Sequence, residues 1–186
     1  SFSSTIRKEL TMKSTNPTNP TIKRALEIIE DHGDQLKSLD FEYQKTINRS
    51  EAIAVQVAHL IVGNRRLFTS PHQYKLQKGL KLYNYATIGL NLSPALEAFK
   101  YTSVNACVWA SDACKSSCLK YSGRNTVKTS AIARIARTVL WVHARYVFLQ
   151  LASNEIRKWN KRCQRKGWTL AVRPNLLSDF PELATA

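Results

Sequence analysis

The sequence predicts an α-rich α/β fold with an N-terminal helical extension, and three observations carry that prediction. Apolar residues recur mostly at three- and four-residue steps from Ile132 to Cys163, as they do along one side of a helix. Lys166 and Gly167 then give this segment a basic last turn and a C-terminal stop. The short apolar run 168–172 follows at once and is typical of a strand. A helix, a glycine and a strand in this order form an α/β unit.

The residues before this unit divide into an arm and a helical region. Residues 1–20 are polar and contain two Thr-Asn-Pro repeats, which favours a flexible arm. In residues 21–84 the apolar spacing predicts helices that begin at Thr21 and directly after Ser50. Residues 85–186 are then expected to form the α/β core.

Finer predictions concern the places where elements break. Apolar runs at 80–86 and 88–92 predict short strands or turns. The apolar stripe of 132–163 predicts a buried side and a break near residues 143–145. Three arginines are expected on its other faces or at the edge of a pocket: Arg134, Arg137 and Arg145.

Charge is the strongest indication of function. The chain has 28 Lys and Arg against 13 Asp and Glu, which gives a net charge of +15. Residues 113–186 hold 14 of the basic residues but only 3 of the acidic ones. This imbalance makes a polyanion the leading class of partner. A solvated helix face that complements the helix dipole is the alternative.

The candidate nucleic-acid-binding residues lie at the end of the long helical segment, and they are Arg157, Lys158, Lys161, Arg162, Arg165 and Lys166. No base-reading motif accompanies them, so little sequence preference is expected. If the nucleic acid is single-stranded, Trp159 or Trp168 is expected to stack on its bases.

Several classes of protein are excluded. No run approaches the roughly 18 apolar residues of a membrane span, and the chain begins without an apolar signal core, so a cytoplasmic protein is expected. The sequence has no phosphate-binding loop, dinucleotide-binding glycine motif, serine-hydrolase elbow or zinc-protease motif. Four cysteines without a signal peptide favour a reducing compartment over a secreted disulfide scaffold.

Three of the cysteines, Cys107, Cys114 and Cys118, form a C-x6-C-x3-C cluster. Thiolates are the ligands of zinc and of iron–sulfur clusters, and a tight loop can bring three of them to one centre. Nearby Lys115 and Lys120 favour the thiolate form. The sequence therefore predicts a metal site at these cysteines that holds zinc or an iron–sulfur cluster. Small buried residues that only brace a loop are the alternative.

Seven blocks share their order and spacing with a known family. They are Gly89-Leu-Asn-Leu-Ser-Pro-Ala95, Asn105-Ala-Cys107, Ala110-Ser-Asp-Ala-Cys114-Lys-Ser-Ser-Cys118-Leu, Ser122-Gly-Arg124, Ala131-Ile-Ala-Arg134-Ile-Ala-Arg137-Thr138, Glu155-Ile156 and Arg173-Pro-Asn175-Leu-Leu-Ser178-Asp179. Over residues 85–182 the chain resembles the bacteriophage gene product 88 family. That family usually has proline directly after the first cysteine, where this chain has Val108. The resemblance implies a phage protein in an infected bacterial host, with a partial or reduced α/β-barrel-like core of the kind that binds clusters.

Polar residues directly after the predicted strand 168–172 form a further candidate site. Ligand sites in α/β folds gather beyond the carboxyl ends of strands. The candidate catalytic residues there are Arg173, Asn175, Ser178 and Asp179. An arginine suits a phosphate or a carboxylate, and an aspartate can orient it or accept a proton. Capping of the loop and of a following helix is the alternative.

Together these features favour a phage-type protein with a cysteine-ligated centre and a basic surface that binds nucleic acid, acting in phage DNA or RNA metabolism. Two other functions stay open. One is a non-enzymatic interaction or structural protein that binds nucleic acid or an acidic partner, with purely structural cysteines. The other is a cluster-dependent enzyme that acts on a small substrate.

Overall fold

The computed structural model describes residues 50–61, 65–74 and 76–180, and its fold is an α-rich α/β fold as predicted. The predicted arm and the helix expected at Thr21 lie outside these residues. The described elements are α1 (Glu51–Ile61), β1 (Phe68–Thr69), α2 (Gln77–Tyr83), β2 (Tyr85–Leu90), α3 (Phe99–Thr102), α4 (Asp112–Ser116), two 3₁₀ turns (Leu119–Tyr121 and Gly123–Thr126), α5 (Lys128–His143), α6 (Arg145–Arg165) and β3 (Thr169–Arg173). Among these helices, none is both long enough and apolar enough to cross a membrane.

The strands form one open sheet in the order β1-β2-β3. β1 pairs with β2 antiparallel, and β2 pairs with β3 parallel, so that Gly89 lies opposite Arg173. β3 confirms the strand predicted at 168–172 with a shift of one residue. The apolar run also predicts a strand in the core, whereas β3 lies at the edge of the sheet and Val172 is 41% exposed. The described strands therefore confirm the α/β class, while their sheet stays open and does not close as a barrel.

The apolar run 80–86 is divided between a helix and a strand. α2 ends at Tyr83, because Asn84 adopts a left-handed φ of 57° that stops the helix. Asparagine tolerates this conformation better than most residues. β2 begins at the next residue, Tyr85. The prediction of short strands or turns is therefore confirmed for 85–86 and 88–90 and wrong for 80–83, where the chain is helical.

The two long helices are separated at Ala144, whose φ of −139° and ψ of 51° lie outside the helical region. This confirms the break predicted at 143–145. Val139, Trp159 and Cys163 of the apolar stripe are buried, whereas Tyr146 is 74% exposed. The stripe fails at Tyr146 because this residue lies in the first turn of α6, where the interruption resets the helical phase.

The hydrophobic core joins α1, the sheet and both long helices. At its centre the ring of Trp141 packs edge-on against Phe148 and Phe180, with centroids 5.3 and 6.4 Å away. Phe180 belongs to the segment that follows β3. The core therefore anchors that segment and fixes the loop at the end of β3.

Candidate functional site

Because β2 and β3 are parallel, they end at the same edge of the sheet, which we call the carboxyl edge. The loops after the two strands meet there, since the N–H of Leu176 donates to the carbonyl of Leu90 at 3.1 Å. Gly89 allows this approach, because a Cβ at that position would lie 2.5 Å from Cδ1 of Leu176. Carboxyl edges of parallel strands are where α/β folds place their ligands.

Three of the four candidate catalytic residues join one hydrogen-bonded loop at the carboxyl edge. Nε of Arg173 donates to the carbonyl of Asn175 at 3.3 Å, and Oγ of Ser178 donates to Oδ1 of Asn175 at 3.1 Å. Nδ2 of Asn175 donates in turn to the carbonyl of Phe180 at 3.0 Å. Asn175 and Ser178 therefore shape the loop, while Arg173 and Asp179 are exposed. The catalytic role of these four residues stays a prediction.

Cys107 adds a buried thiol to the carboxyl edge. Its Sγ accepts the N–H of Ala95 at 3.2 Å, and its thiol donates to the carbonyl of Leu177 at 3.8 Å. The N–H of Asp179 also donates to the carbonyl of Ala106 at 2.9 Å. Cys107 therefore links the loop after β2 to the loop after β3.

The other cysteines have different surroundings. Cys114 is exposed on α4, where its backbone N–H donates to Oγ of the N-cap residue Ser111 at 3.2 Å. Cys118 is half-buried directly before the first 3₁₀ turn. Cys163 is buried on α6, and this burial raises the pKa of its thiol. Within the described residues, no group of three or more His, Cys, Asp or Glu side chains is arranged to hold a metal ion.

The three predicted metal ligands thus do not fit one centre in the described arrangement, and the zinc or iron–sulfur site stays a prediction that serine variants can test. Cys107→Ser is expected to lower the free energy of unfolding by about 1–2 kcal/mol, because the smaller oxygen weakens two buried contacts. Cys114→Ser and Cys118→Ser are expected to change it much less. Urea titration and metal analysis of the three variants check this. Similar large losses in all three, with loss of bound metal, would instead support a shared centre.

Three buried polar atoms near the loop after β2 have no hydrogen-bond partner among the described residues, and they are Asn91 Oδ1, Ser93 Oγ and Arg134 Nη1. The backbone N–H of Ser93 donates to Oγ1 of Thr138 at 2.8 Å, and that hydroxyl donates to the carbonyl of Arg134 at 3.0 Å. These bonds fix the loop against α5. Unpaired buried polar groups cost stability, so their concentration here calls for a functional explanation.

Arg134 is buried in the protein, at 1% exposure, so the prediction that it lies on a face other than the buried one, or at a pocket edge, is wrong. Its Nε and Nη2 donate to the two carboxylate oxygens of Glu97 at 3.0 and 2.6 Å. Nη2 also donates to the carbonyl of Asn125 at 3.1 Å. The charge is buried because this bidentate partner neutralises it.

A second arginine and a glutamate hold the segment before β1. Nη2 of Arg137 donates to the carbonyl of Arg66 at 3.0 Å, and Oε2 of Glu155 accepts the N–H of Leu67 at 2.8 Å. Burial, helped by nearby Arg134, lowers the pKa of Arg137 to about 10, although Glu155 opposes this, so the guanidinium stays charged at neutral pH. Burial raises the pKa of Glu155. The pair fixes Arg66 against both long helices.

The basic face of α6 consists of six exposed residues in its last turns, namely Arg157, Lys158, Lys161, Arg162, Arg165 and Lys166. At 3.6 residues per turn they cover about half of the helix circumference, away from the buried side chains of Trp159 and Cys163. No acidic residue occurs between Glu155 and Asp179. Among the described residues, none of the six forms an ion pair.

Trp159 is buried, so the expectation that it stacks on bases is wrong. Its ring instead supports the basic face, because the guanidinium groups of Arg162 and Arg66 lie over it at 5.1 and 5.7 Å from the centroid. Trp168 is half-buried, with Nζ of Lys166 at 4.4 Å from the ring centroid. Arg66 therefore extends the basic face beyond α6.

Comparison with known proteins now decides the family. The family model described as Gene product 88 matches residues 58–186, which is more than half of the chain. The chain belongs to the gene product 88 family. The match confirms the resemblance found in the sequence blocks and begins earlier than those blocks, at residue 58. Neither the curated proteins nor the solved structures include a match to this chain.

In this gene product 88 protein, the matched region contains the carboxyl edge, the basic face and all four cysteines. The sequence did not single out Asn91, Ser93 and Glu97, which lie in the loop after β2. Asn91 and Ser93 lie in the block Gly89–Ala95, which is shared with the family, and this shared block could have drawn attention to them. Glu97 stands just outside it and gave no signal of its own.

Proposed function

We propose that this gene product 88 protein binds nucleic acid through the basic face of α6. The observation that carries the proposal is the set of six exposed cations without an acidic partner among the described residues. Unpaired cations on one helix face release counterions when they contact phosphates, and this release dominates nucleic-acid affinity. Dipole complementarity alone would need cations only in the last turn, whereas this row begins at Arg157.

The arrangement favours backbone contacts over base reading. Arginine and lysine heads on an exposed helix face reach phosphates, and such contacts carry no sequence information. Arg162 rests on the ring of Trp159, which limits its motion and preorganises its charge. Arg66, held by Arg137, adds a cation from outside the helix. We therefore expect strong salt dependence and weak sequence preference.

The test is binding to a duplex DNA of about 20 base pairs at several salt concentrations. If about four phosphates are contacted, affinity is expected to fall roughly a hundredfold between 50 and 200 mM salt. Lys158→Glu with Lys161→Glu should weaken binding at least tenfold and flatten the salt slope by about two. Arg162 is left in place because its guanidinium packs on Trp159.

The matched control is Lys78→Glu with Lys81→Glu, which reverses two exposed lysines at the same spacing on α2. It changes the net charge of the protein by the same amount, so binding driven by net charge alone would weaken equally in both variants. Equal losses would contradict the proposed face. A protein that retains neither duplex nor single-stranded DNA at 50 mM salt would contradict nucleic-acid binding and favour an acidic protein partner.

A further inference from the structure

The cysteine loop, which we define as residues 107–127 between the carboxyl edge and α5, exposes large apolar side chains. Trp109 is 83% exposed and Tyr121 is 63% exposed, and three further apolar residues are also exposed: Val108, Leu119 and Val127. Single exposed apolar residues are common, but five within one short loop mark a surface that contacts a partner.

The loop presents these rings from a backbone that its own polar side chains hold in place. Oγ of Ser117 donates to the carbonyl of Ala113 at 2.7 Å, and Oγ of Ser122 donates to the carbonyl of Leu119 at 3.0 Å. Nδ2 of Asn125 donates to that same carbonyl at 3.0 Å. These hydroxyl and amide groups are thus used internally, and the loop exposes its aromatic rings together with charged side chains.

Positive charge accompanies the exposed rings along the cysteine loop. The cysteine loop and the first residue of α5 carry four cations: Lys115, Lys120, Arg124 and Lys128. The one acidic residue between Cys107 and Lys128 is Asp112, and it pairs with Lys115 at 3.1 Å. Nζ of Lys120 lies 4.7 Å from the ring centroid of Tyr121. A cation beside an exposed ring places a phosphate contact next to a stacking surface.

Resting on the proposed function, we infer that the cysteine loop binds single-stranded nucleic acid, with Trp109 and Tyr121 stacking on its bases. The net positive charge favours an anionic partner. Exposed rings gain little from a duplex, because its base faces are already stacked, whereas the splayed bases of a single strand can stack on aromatic side chains. The stacking residues are then loop residues and not Trp159, which is buried.

The test compares Trp109→Ala, Tyr121→Ala and the wild-type protein for binding to an oligo-deoxythymidine of about 20 nucleotides at 50 mM salt. Each variant is expected to weaken single-strand binding by about tenfold, which is the usual effect of losing one stacked base. Trp109→Phe keeps a ring and should retain most of the affinity. Duplex binding should stay within about twofold of the wild-type value.

Tyr74→Ala is the matched control, because Tyr74 is an equally exposed aromatic residue, at 84%, outside the cysteine loop. If Trp109→Ala and Tyr121→Ala bind the oligonucleotide as tightly as Tyr74→Ala does, the cysteine loop is not a stacking site. The basic face is not affected by that outcome, because the duplex experiment tests it separately. If Lys158→Glu with Lys161→Glu leaves duplex binding unchanged but the loop variants lose single-strand binding, the proposed face fails and the loop stands.

Discussion

Changing Glu97 to alanine is expected to lower the free energy of unfolding by about 3–5 kcal/mol, because it leaves a buried guanidinium without its partner. Arg134 is 1% exposed, and two of its nitrogens donate to Glu97. The folded protein would then carry the cost of an uncompensated buried charge. Urea titration followed by circular dichroism measures the change.

Two variants separate the buried charge from other causes. Glu97→Leu combined with Arg134→Leu removes both charges and should recover a large part of the loss, since no uncompensated ion remains. Asp112→Ala breaks the exposed pair with Lys115 and should leave stability unchanged, because exposed pairs contribute little. If Glu97→Ala unfolds at the same urea concentration as the wild type, the ion pair does not stabilise the fold.

The wrong prediction for Arg134 shows why the buried residues could be predicted only in part from the sequence. Periodicity located the long helices and their break, since both follow from local spacing and a backbone interruption. The same reasoning placed the three arginines of these helices on their other faces or at a pocket edge, because an unpaired charge avoids the core. The partner that reverses this expectation lies 37 residues earlier in the chain. Sequence periodicity contains no information on such a pairing.

The carboxyl edge was also predicted only in part, because some of its contacts join residues that are distant in the sequence. The order helix, glycine, strand predicted β3 and placed Arg173 to Asp179 at its end. The place of Cys107 beside Leu177 depends on residues 70 positions apart, so the spacing of the cysteines along the chain could not predict this contact. Spacing measures closeness along the chain, whereas a site is built from closeness in space.

The surfaces proposed to bind a partner also depend on which side chains are buried, and sequence periodicity predicted this only in part. The basic face was predictable because exposed cations follow directly from their number at the end of an amphipathic helix. The burial of Trp159 was not predictable, since a tryptophan can lie on either side of such a helix. Trp159 is buried and its ring packs against the guanidinium groups of Arg162 and Arg66, whereas Trp109 is exposed to solvent.

Trp141→Ala is expected to lower the free energy of unfolding by about 3–5 kcal/mol, the usual cost of truncating a large buried aromatic side chain. Trp141 is 1% exposed and packs against Phe148 of α6 and Phe180 after β3. Its loss would leave a cavity where the two long helices meet the segment that follows β3. Trp141→Phe should cost less, because it keeps a ring and removes an indole N–H that has no partner among the described residues.

Trp109→Ala is the matched control: it removes the same side chain from an exposed position and should leave the unfolding free energy near the wild-type value. Urea titration of the three variants measures these differences, and near-ultraviolet circular dichroism reports the packing of the rings. Equal stability of Trp141→Ala and Trp109→Ala would contradict a core centred on Trp141.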